Sequence, residues 1–506
     1  MLPTGSAAFL LLAFISQVAV FVPVHAQSPP DPLLGLDGYI EQAMRDWEVP
    51  GLAIAVVRND SVIFSRGYGV RQLGAHAAVD ENTLFAIAST SKAMTVAGLG
   101  MLVDEGRLAW DDPVTEHLPT FQLRDPYVNR EFTVRDLLTH RSGLARHDLL
   151  WIAAPFNRSE ILRRARHLPN SGRFRADYGY HNLMYIAAGE VVTAASGVSW
   201  DDFLAERLFR PLGMARSTTR SDVVDTRDNV ASPHTRVDGA VTAVARRNYD
   251  NIGGAGSVWS SAHDMGQWLR LQLGDGTHGG NRILSSASLR EMHTPQTLIR
   301  SDSVGERLFP DTNFRAYGLG WNVQDYRGRK LVHHSGSINW TRTQVGMLPT
   351  ENVGVVVIAN LSSSDLQRAL MFRVLDAYLG VESRDWSAEL LELSRRSDER
   401  SQVQRQELEA ARIAGTRPSL PNAELAGSYS SDLFGEMRLQ RENERLVLYY
   451  SPDYIADLEH WHHDTFRAVW RRPGFGTAFV TFALDERGRP ATIDVGDFGI
   501  FRREAR

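Results

Sequence analysis

Apolar residues run unbroken from Leu52 to Val57 and again from Val62 to Phe64, split by the polar triplet Arg58-Asn59-Asp60. That pattern predicts an antiparallel hairpin at the start of a sheet. From Ser89 to Glu105 the period changes: Met94, Ala97, Met101 and Leu102 recur at three- and four-residue spacings before Gly106, which predicts a helix opening at Ser89. Further helices are predicted over Leu183–Ala195, Trp200–Leu208 and Ala262–Leu273, between turns rich in Gly, Pro, Asp and Ser. Late strands follow at Leu331–His333, Thr343–Leu348 and Val353–Ala359. A sheet assembled from both ends of this region around a helical insertion makes an α/β, two-lobed design.

The pattern changes again after Asp385. Residues Asp385 to Arg412 are charged, free of Gly and Pro and loosely amphipathic, and lead to Gly415-Thr-Arg-Pro418, so a helical linker over 385–418 is predicted. From Leu420 to the end, alternating runs at Met437–Leu439, Leu446–Tyr450, Phe466–Trp470, Ala478–Leu484 and Ile493–Val495 predict a separate small β domain over 420–506.

With 506 residues, 43% of them hydrophobic, the chain can bury the cores of two or three domains. Its first 26 residues hold no Asp, Glu, Lys or Arg, run apolar from Ala7 to Val22 and end in Val24-His25-Ala26, a small-x-small cleavage pattern. A secretory signal over 1–26 is therefore expected, giving a secreted or periplasmic protein. An uncleaved N-terminal anchor is the alternative, because no Lys or Arg precedes the apolar run. No other segment reaches the length of a membrane span. Cysteine is absent, which excludes disulfides, a thiolate nucleophile and thiolate zinc sites. A net charge of -5 without a basic block excludes a nucleic-acid surface, and nothing here bears on oligomeric state.

Two of the 55 basic residues are lysines, Lys92 and Lys330. Lysine differs from arginine in that its amine can lose a proton when buried, so a lysine retained in an arginine-rich chain points to chemistry. Lys92 stands three residues after Ser89 in an S-x-x-K frame, one turn along a helix, within reach of the serine hydroxyl. Burial and the positive end of the helix both lower the amine's pKa, making Lys92 a candidate base. A serine cap with a surface lysine is the plain alternative. Tyr180-His181-Asn182 adds a phenol, able to shuttle protons where neighbouring cations depress its pKa, and an amide able to orient a carbonyl. Tyr178 is a rival phenol. His334-Ser335-Gly336 follows an apolar strand; Gly336 lets a substrate lie close to the backbone, and the Ser337 N–H can join that of Ser89 in an oxyanion hole.

With these three fragments in this order, the chain resembles the serine beta-lactamase and penicillin-binding-protein superfamily, in its class-C-like branch of esterases, D-aminopeptidases and related hydrolases. Val49–Val57, Thr133–Leu144, Pro211–Met214, Gly254–Ser261 and Tyr317–Trp321 extend the likeness over residues 35–380. The resemblance implies a beta-lactamase-like fold, an antiparallel sheet flanked by helices plus a helical lobe, with a small C-terminal β-barrel-like domain. It implies Ser89 as nucleophile, Lys92 and Tyr180 as proton carriers, and Asn182 with His334, Ser335, Gly336 and Ser337 as the substrate-binding set. His334 stands where lactamases carry a lysine that helps bind a carboxylate, and an ordinary imidazole, pKa about 6.5, is mostly neutral at pH 7. A small-molecule or peptide substrate is expected: small esters or peptide amides, D-amino-acid peptides included. A beta-lactamase, or a weakly catalytic sensor of cell-wall peptides, is the alternative. No cofactor is implied, since neither lysine follows a glycine as a phosphate-binding loop requires. No metal is implied either: His460, His462 and His463 lack a metal-spaced partner set, and packing against aromatic residues accounts for them.

Overall fold

The computed structural model describes residues 31–338, 340–382 and 384–504. The expected signal segment, 1–26, lies outside them. No helix among the described residues is long and apolar enough to cross a membrane.

The predicted hairpin forms from β1 (Gly51–Arg58) and β2 (Ser61–Gly69), and Asn59 and Asp60 both take positive φ at its turn. Two such residues match the right-handed twist of the flanking strands. β2 outruns its apolar core because it pairs with β1 as far as Gly51 opposite Gly69. Six more strands complete the sheet: β3 (Thr297–Leu298), β4 (Arg315–Tyr317), β5 (Asn322–Tyr326), β6 (Arg329–Ile338), β7 (Thr341–Leu348) and β8 (Val353–Ala359). Their order is β2-β1-β8-β7-β6-β5-β4-β3, and every pairing is antiparallel. Both ends of the region thus meet at β1 and β8.

β1 is apolar throughout because it feeds two cores. Ala53, Ala55 and Val57 join the cluster that fills the helical lobe, while Leu52, Ile54 and Val56 join one under the opposite face. A period of two explains the division. On the second face lie helices α1 (Leu36–Trp47) and, late in the chain, Leu366–Leu379. The other face carries α2 (Ser91–Asp104), α3 (Asn182–Ser196) and α4 (Ala262–Leu273). Trp200–Leu208 was expected as one helix. An α-helix ends at Leu204 and a wider π turn, Ala205–Phe209, leads to Pro211, which has no N–H to continue a regular ladder.

A helix over Trp386–Ala410 docks through buried Trp386 and Leu390 and then runs largely exposed. Eight strands, from Gly427–Ser431 to Ile500–Arg503, close into a barrel. Three of them, Gly427–Ser431, Ile455–His462 and Ile500–Arg503, were not foreseen; in the second, histidines interrupt the apolar run. His460 accordingly packs on Phe466 and donates to the His463 carbonyl at 2.9 Å. Among the described residues no cluster of metal-ligating side chains forms there or elsewhere. The barrel rests on the rest of the molecule through Arg164, which donates to the Asp432 and Leu433 carbonyls, and through a 2.9 Å ion pair of buried Arg247 with half-buried Asp453.

Candidate active site

Ser89 sits in a 3-10 turn, Ala88–Thr90, and the α-helix proper begins at Ser91, so the helix opens two residues later than its periodicity predicts. The reason is local. Ala88 takes φ 54°, a left-handed conformation unusual for a residue with a Cβ. The Thr90 hydroxyl donates to the Ile87 carbonyl and the Ser91 hydroxyl to that of Ala88, at 2.8 and 2.6 Å, which holds the turn. In a 3-10 turn residues three apart eclipse, and Lys92 therefore faces Ser89 directly.

Gly336 secures the same turn from outside. A Cβ at Gly336 would stand 2.3 Å from the Ile87 carbonyl oxygen, so only glycine lets β6 approach the backbone that carries Ser89. Close approach is required, as expected, but it is the nucleophile turn that comes close. Beyond His333, β6 has no β5 partner and lies against this turn instead. Ser335 and Ser337 are the exposed residues of that stretch.

Lys92 is wholly buried, at 0% exposure. Its Nζ lies 2.7 Å from the Ala255 carbonyl, 2.8 Å from Asn182 Oδ1 and 3.1 Å from Ser89 Oγ. Gly254 makes the first of these possible, because a Cβ there would meet the Tyr185 carbonyl at 2.6 Å and keep the 250–255 turn off the helices. Burial holds the Lys92 ammonium well below the ordinary lysine range; Asp148 pulls the other way and Arg146 reinforces the depression. A neutral amine has two N–H bonds and one lone pair. With carbonyl oxygens taking the two N–H groups, the lone pair is left for the Ser89 hydroxyl.

Tyr180 donates its O–H to Ser89 Oγ at 2.9 Å, and of the two candidate phenols it is this one that bonds the serine. Tyr178 packs edge-on against His140 instead. The condition set for a proton shuttle, a phenol depressed by neighbouring cations, is not met. Burial pushes Tyr180 above its ordinary value despite the Ser89 hydrogen bond and nearby Arg146, so it enters any reaction as a neutral donor.

His334 is 2% exposed and spends both ring nitrogens internally: Nδ1 lies 2.7 Å from the Ser335 carbonyl, and Nε2 accepts from the Tyr317 hydroxyl at 2.9 Å. Burial, then Lys92, push it down to about 3. It is a neutral ring with no free nitrogen for a ligand. His181, between Tyr180 and Asn182, is likewise buried; its backbone N–H donates to His140 Nδ1 and its Nε2 lies 3.1 Å from the Ala145 carbonyl. The His140 ring in turn lies tilted between two phenols, its centre 4.2 Å from that of Tyr180 and 4.4 Å from that of Tyr317. Among the side chains at this centre that were not singled out from the sequence are His140, Arg146 and Asp148. Of these three, only His140 left a trace, inside the motif Thr133–Leu144.

The buried histidines carry a consequence for stability. Burial lowers His140 well below its ordinary value, His181 to about 4, and His293 and His334 to about 3. Below about pH 6.5 the unfolded chain protonates these rings and the folded chain does not. Their contribution is complete above pH 6.5 and is lost as pH falls toward 4. Urea unfolding at pH 7.5, 6.5, 5.5 and 4.5 should show stability falling steeply through the last two points; a flat series would contradict the burial described.

Comparison with known proteins places this geometry. The family model described as Beta-lactamase matches residues 36–378, and that of a Domain of unknown function, DUF3471, matches residues 411–505. Unguisins hydrolase ungD of Aspergillus violaceofuscus is 28% identical over 93% of this chain and 89% of its own. Protein flp of Staphylococcus aureus is 25% identical, covering 65% of this chain and 63% of its own. Among solved structures, the octameric penicillin-binding protein homologue from Pyrococcus abyssi superposes with a TM-score of 0.63 at 21% identity, over 93% of this chain and 99% of that one. SurE superposes with a TM-score of 0.56 at 20% identity, over 94% and 99%. At these identities the two structures attest the fold alone.

Proposed function

Since this chain belongs to the beta-lactamase family, whose fold is that of serine hydrolases, we propose that it hydrolyses small esters or peptide amides, D-amino-acid peptides among them, through an acyl-enzyme on Ser89. The observation that carries the proposal is the convergence of Lys92 Nζ and the Tyr180 hydroxyl on Ser89 Oγ, at 3.1 and 2.9 Å, in a buried site. The Ser89 hydroxyl gives its proton to the neutral Lys92 amine as Oγ bonds the substrate carbonyl carbon. The carbonyl oxygen becomes an oxyanion, and the Ser89 and Ser337 backbone N–H groups are its donors. When the bond to the leaving group breaks, Tyr180 protonates the departing atom and the Lys92 ammonium restores the phenol. Water then attacks the acyl carbon with the same groups acting in reverse, and Ser89 is released.

The neutral, internally bonded His334 argues for substrates without a carboxylate at that subsite. A penicillin-like anion finds no lysine there and loses a charge-assisted hydrogen bond, about 1.5–3 kcal/mol. The relative ungD is named for hydrolysis of unguisins, in keeping with a hydrolytic role here. The leading segment 1–26 supports export to the periplasm or medium. Comparing p-nitrophenyl acetate, a D-alanyl anilide and a chromogenic cephalosporin tests the substrate reading. The ester or the anilide should exceed the cephalosporin in kcat/KM by about tenfold or more; a cephalosporin turned over best would instead make the protein a lactamase.

A further inference from the structure

Asp148 belongs to no motif, yet it stands directly behind the Lys92 site. It opens a short 3-10 turn, Asp148–Leu150, and its carboxylate takes three kinds of donor. Oδ1 accepts from Asn182 Nδ2 at 3.0 Å and from the Trp151 indole at 2.9 Å, while Oδ2 accepts from Arg146 Nε at 2.6 Å. Burial opposes its ionisation, but Arg146 and these hydrogen bonds outweigh it and hold the carboxyl below its ordinary range. An ionised carboxylate can only accept. Asn182 must therefore turn its NH2 toward Asp148 and its carbonyl toward Lys92, where Oδ1 takes an amine N–H at 2.8 Å. Reversed, the amide would aim two donors at an amine that already has donors of its own.

We propose that Asp148 is a positioning residue for this reaction: it fixes the amide of Asn182, which aims the Lys92 lone pair at Ser89, and its charge stabilises the ammonium that forms when Ser89 gives up its proton. The proposal rests on Ser89 and Lys92 acting as nucleophile and base. The other groups around the amine cannot supply this. Tyr180 and Tyr185 lie ring-on, at 5.0 and 5.3 Å from Nζ; His140 and His334 are neutral; and Arg146 opposes a second cation. Among the described residues, Asp148 is the anion whose charge raises the affinity of Lys92 for a proton. The balance needs no further reactant, because the proton that leaves Ser89 is the one Lys92 holds.

The two-lysine composition makes the test direct. Full chain labelled with 13C-lysine has two Cε signals, assigned through Lys330→Arg, and the pH titration of the Lys92 signal reads its protonation in the folded protein. Asp148→Asn should move the Lys92 midpoint to lower pH, carry the acid limb of the pH–kcat profile with it, and lower kcat about ten- to a hundredfold with KM little changed, a share of the ~10²–10⁴-fold that a positioned base contributes. Asp148→Glu should recover most of both readouts. Asp148→Ser, which keeps an acceptor for Asn182 without the charge, should shift the midpoint in the same direction and serves if Asp148→Asn does not accumulate folded. An unmoved Lys92 midpoint in the neutral variants, whether or not turnover falls, would overturn the proposal. If the wild type fails to acylate at Ser89, the hydrolase reading falls, while the Lys92 titration still decides whether Asp148 governs the amine.

Discussion

Lys92→Arg should lower kcat/KM by about 10³–10⁴-fold, toward the upper end of what a positioned base contributes. Arginine cannot lose its proton at any usable pH, so no lone pair is left to receive the Ser89 hydrogen. The position makes the substitution harsher than a loss of chemistry alone. Lys92 is fully buried and its hydrogen-bond partners are a backbone carbonyl, an amide oxygen and a hydroxyl, with Asp148 reached only through Asn182. A guanidinium there is a permanent buried charge with no direct ion-pair partner, which costs about 3–5 kcal/mol. Lys92→Met separates the two effects: it should lose turnover to the same extent, yet unfold at higher urea than Lys92→Arg. Lys330→Arg, exposed beside the β5–β6 turn, should be nearly silent in both measurements. Turnover in Lys92→Arg within tenfold of wild type would mean that the amine is not the base.

Ser89→Ala should cost more, about 10⁴–10⁶-fold in kcat, because no acyl-enzyme can form and water must attack unaided. Stability should barely change. The serine oxygen takes the Tyr180 hydroxyl and faces Lys92, whereas the turn itself is held by Thr90, Ser91 and Gly336. Leaving one phenol without an acceptor costs about 1–3 kcal/mol at most, offset where water enters the vacated space. Steady-state assay of the ester or anilide with matched urea curves checks both halves. Residual turnover above about one hundredth of wild type, from a purified and folded variant, would place the nucleophile elsewhere.

Much of this was legible in the chain, for identifiable reasons. β1, β8, α3 and α4 repeat their apolar positions regularly, and both the sheet and the helical insertion follow from them. Ser89, Lys92, Tyr180 and Asn182 could be singled out because their chemistry goes with short spacings: one turn in S-x-x-K, one residue in Tyr-x-Asn. Asp148 could not. It lies in an irregular stretch with no periodicity and reaches Lys92 through a fold contact across residues distant in sequence. The raised Tyr180 phenol was hidden for a related reason: a nearby cation, Arg146, lowers it, but full burial, which outweighs that effect, depends on packing. His334 shows the same limit, since its partner Tyr317 comes from β4, a strand that does not pair with β6. Gly336 was read as room for substrate, and the room is taken by the Ile87 carbonyl.

The claim that everything else depends on is that Ser89 is the nucleophile and is activated in place. Intact-mass measurement after incubation with a fluorophosphonate, followed by peptide mapping, tests it most directly. One adduct per chain is expected, on the peptide carrying Ser89, absent from Ser89→Ala and strongly slowed in Lys92→Met. No adduct on the native protein, or one that survives Ser89→Ala, would contradict it.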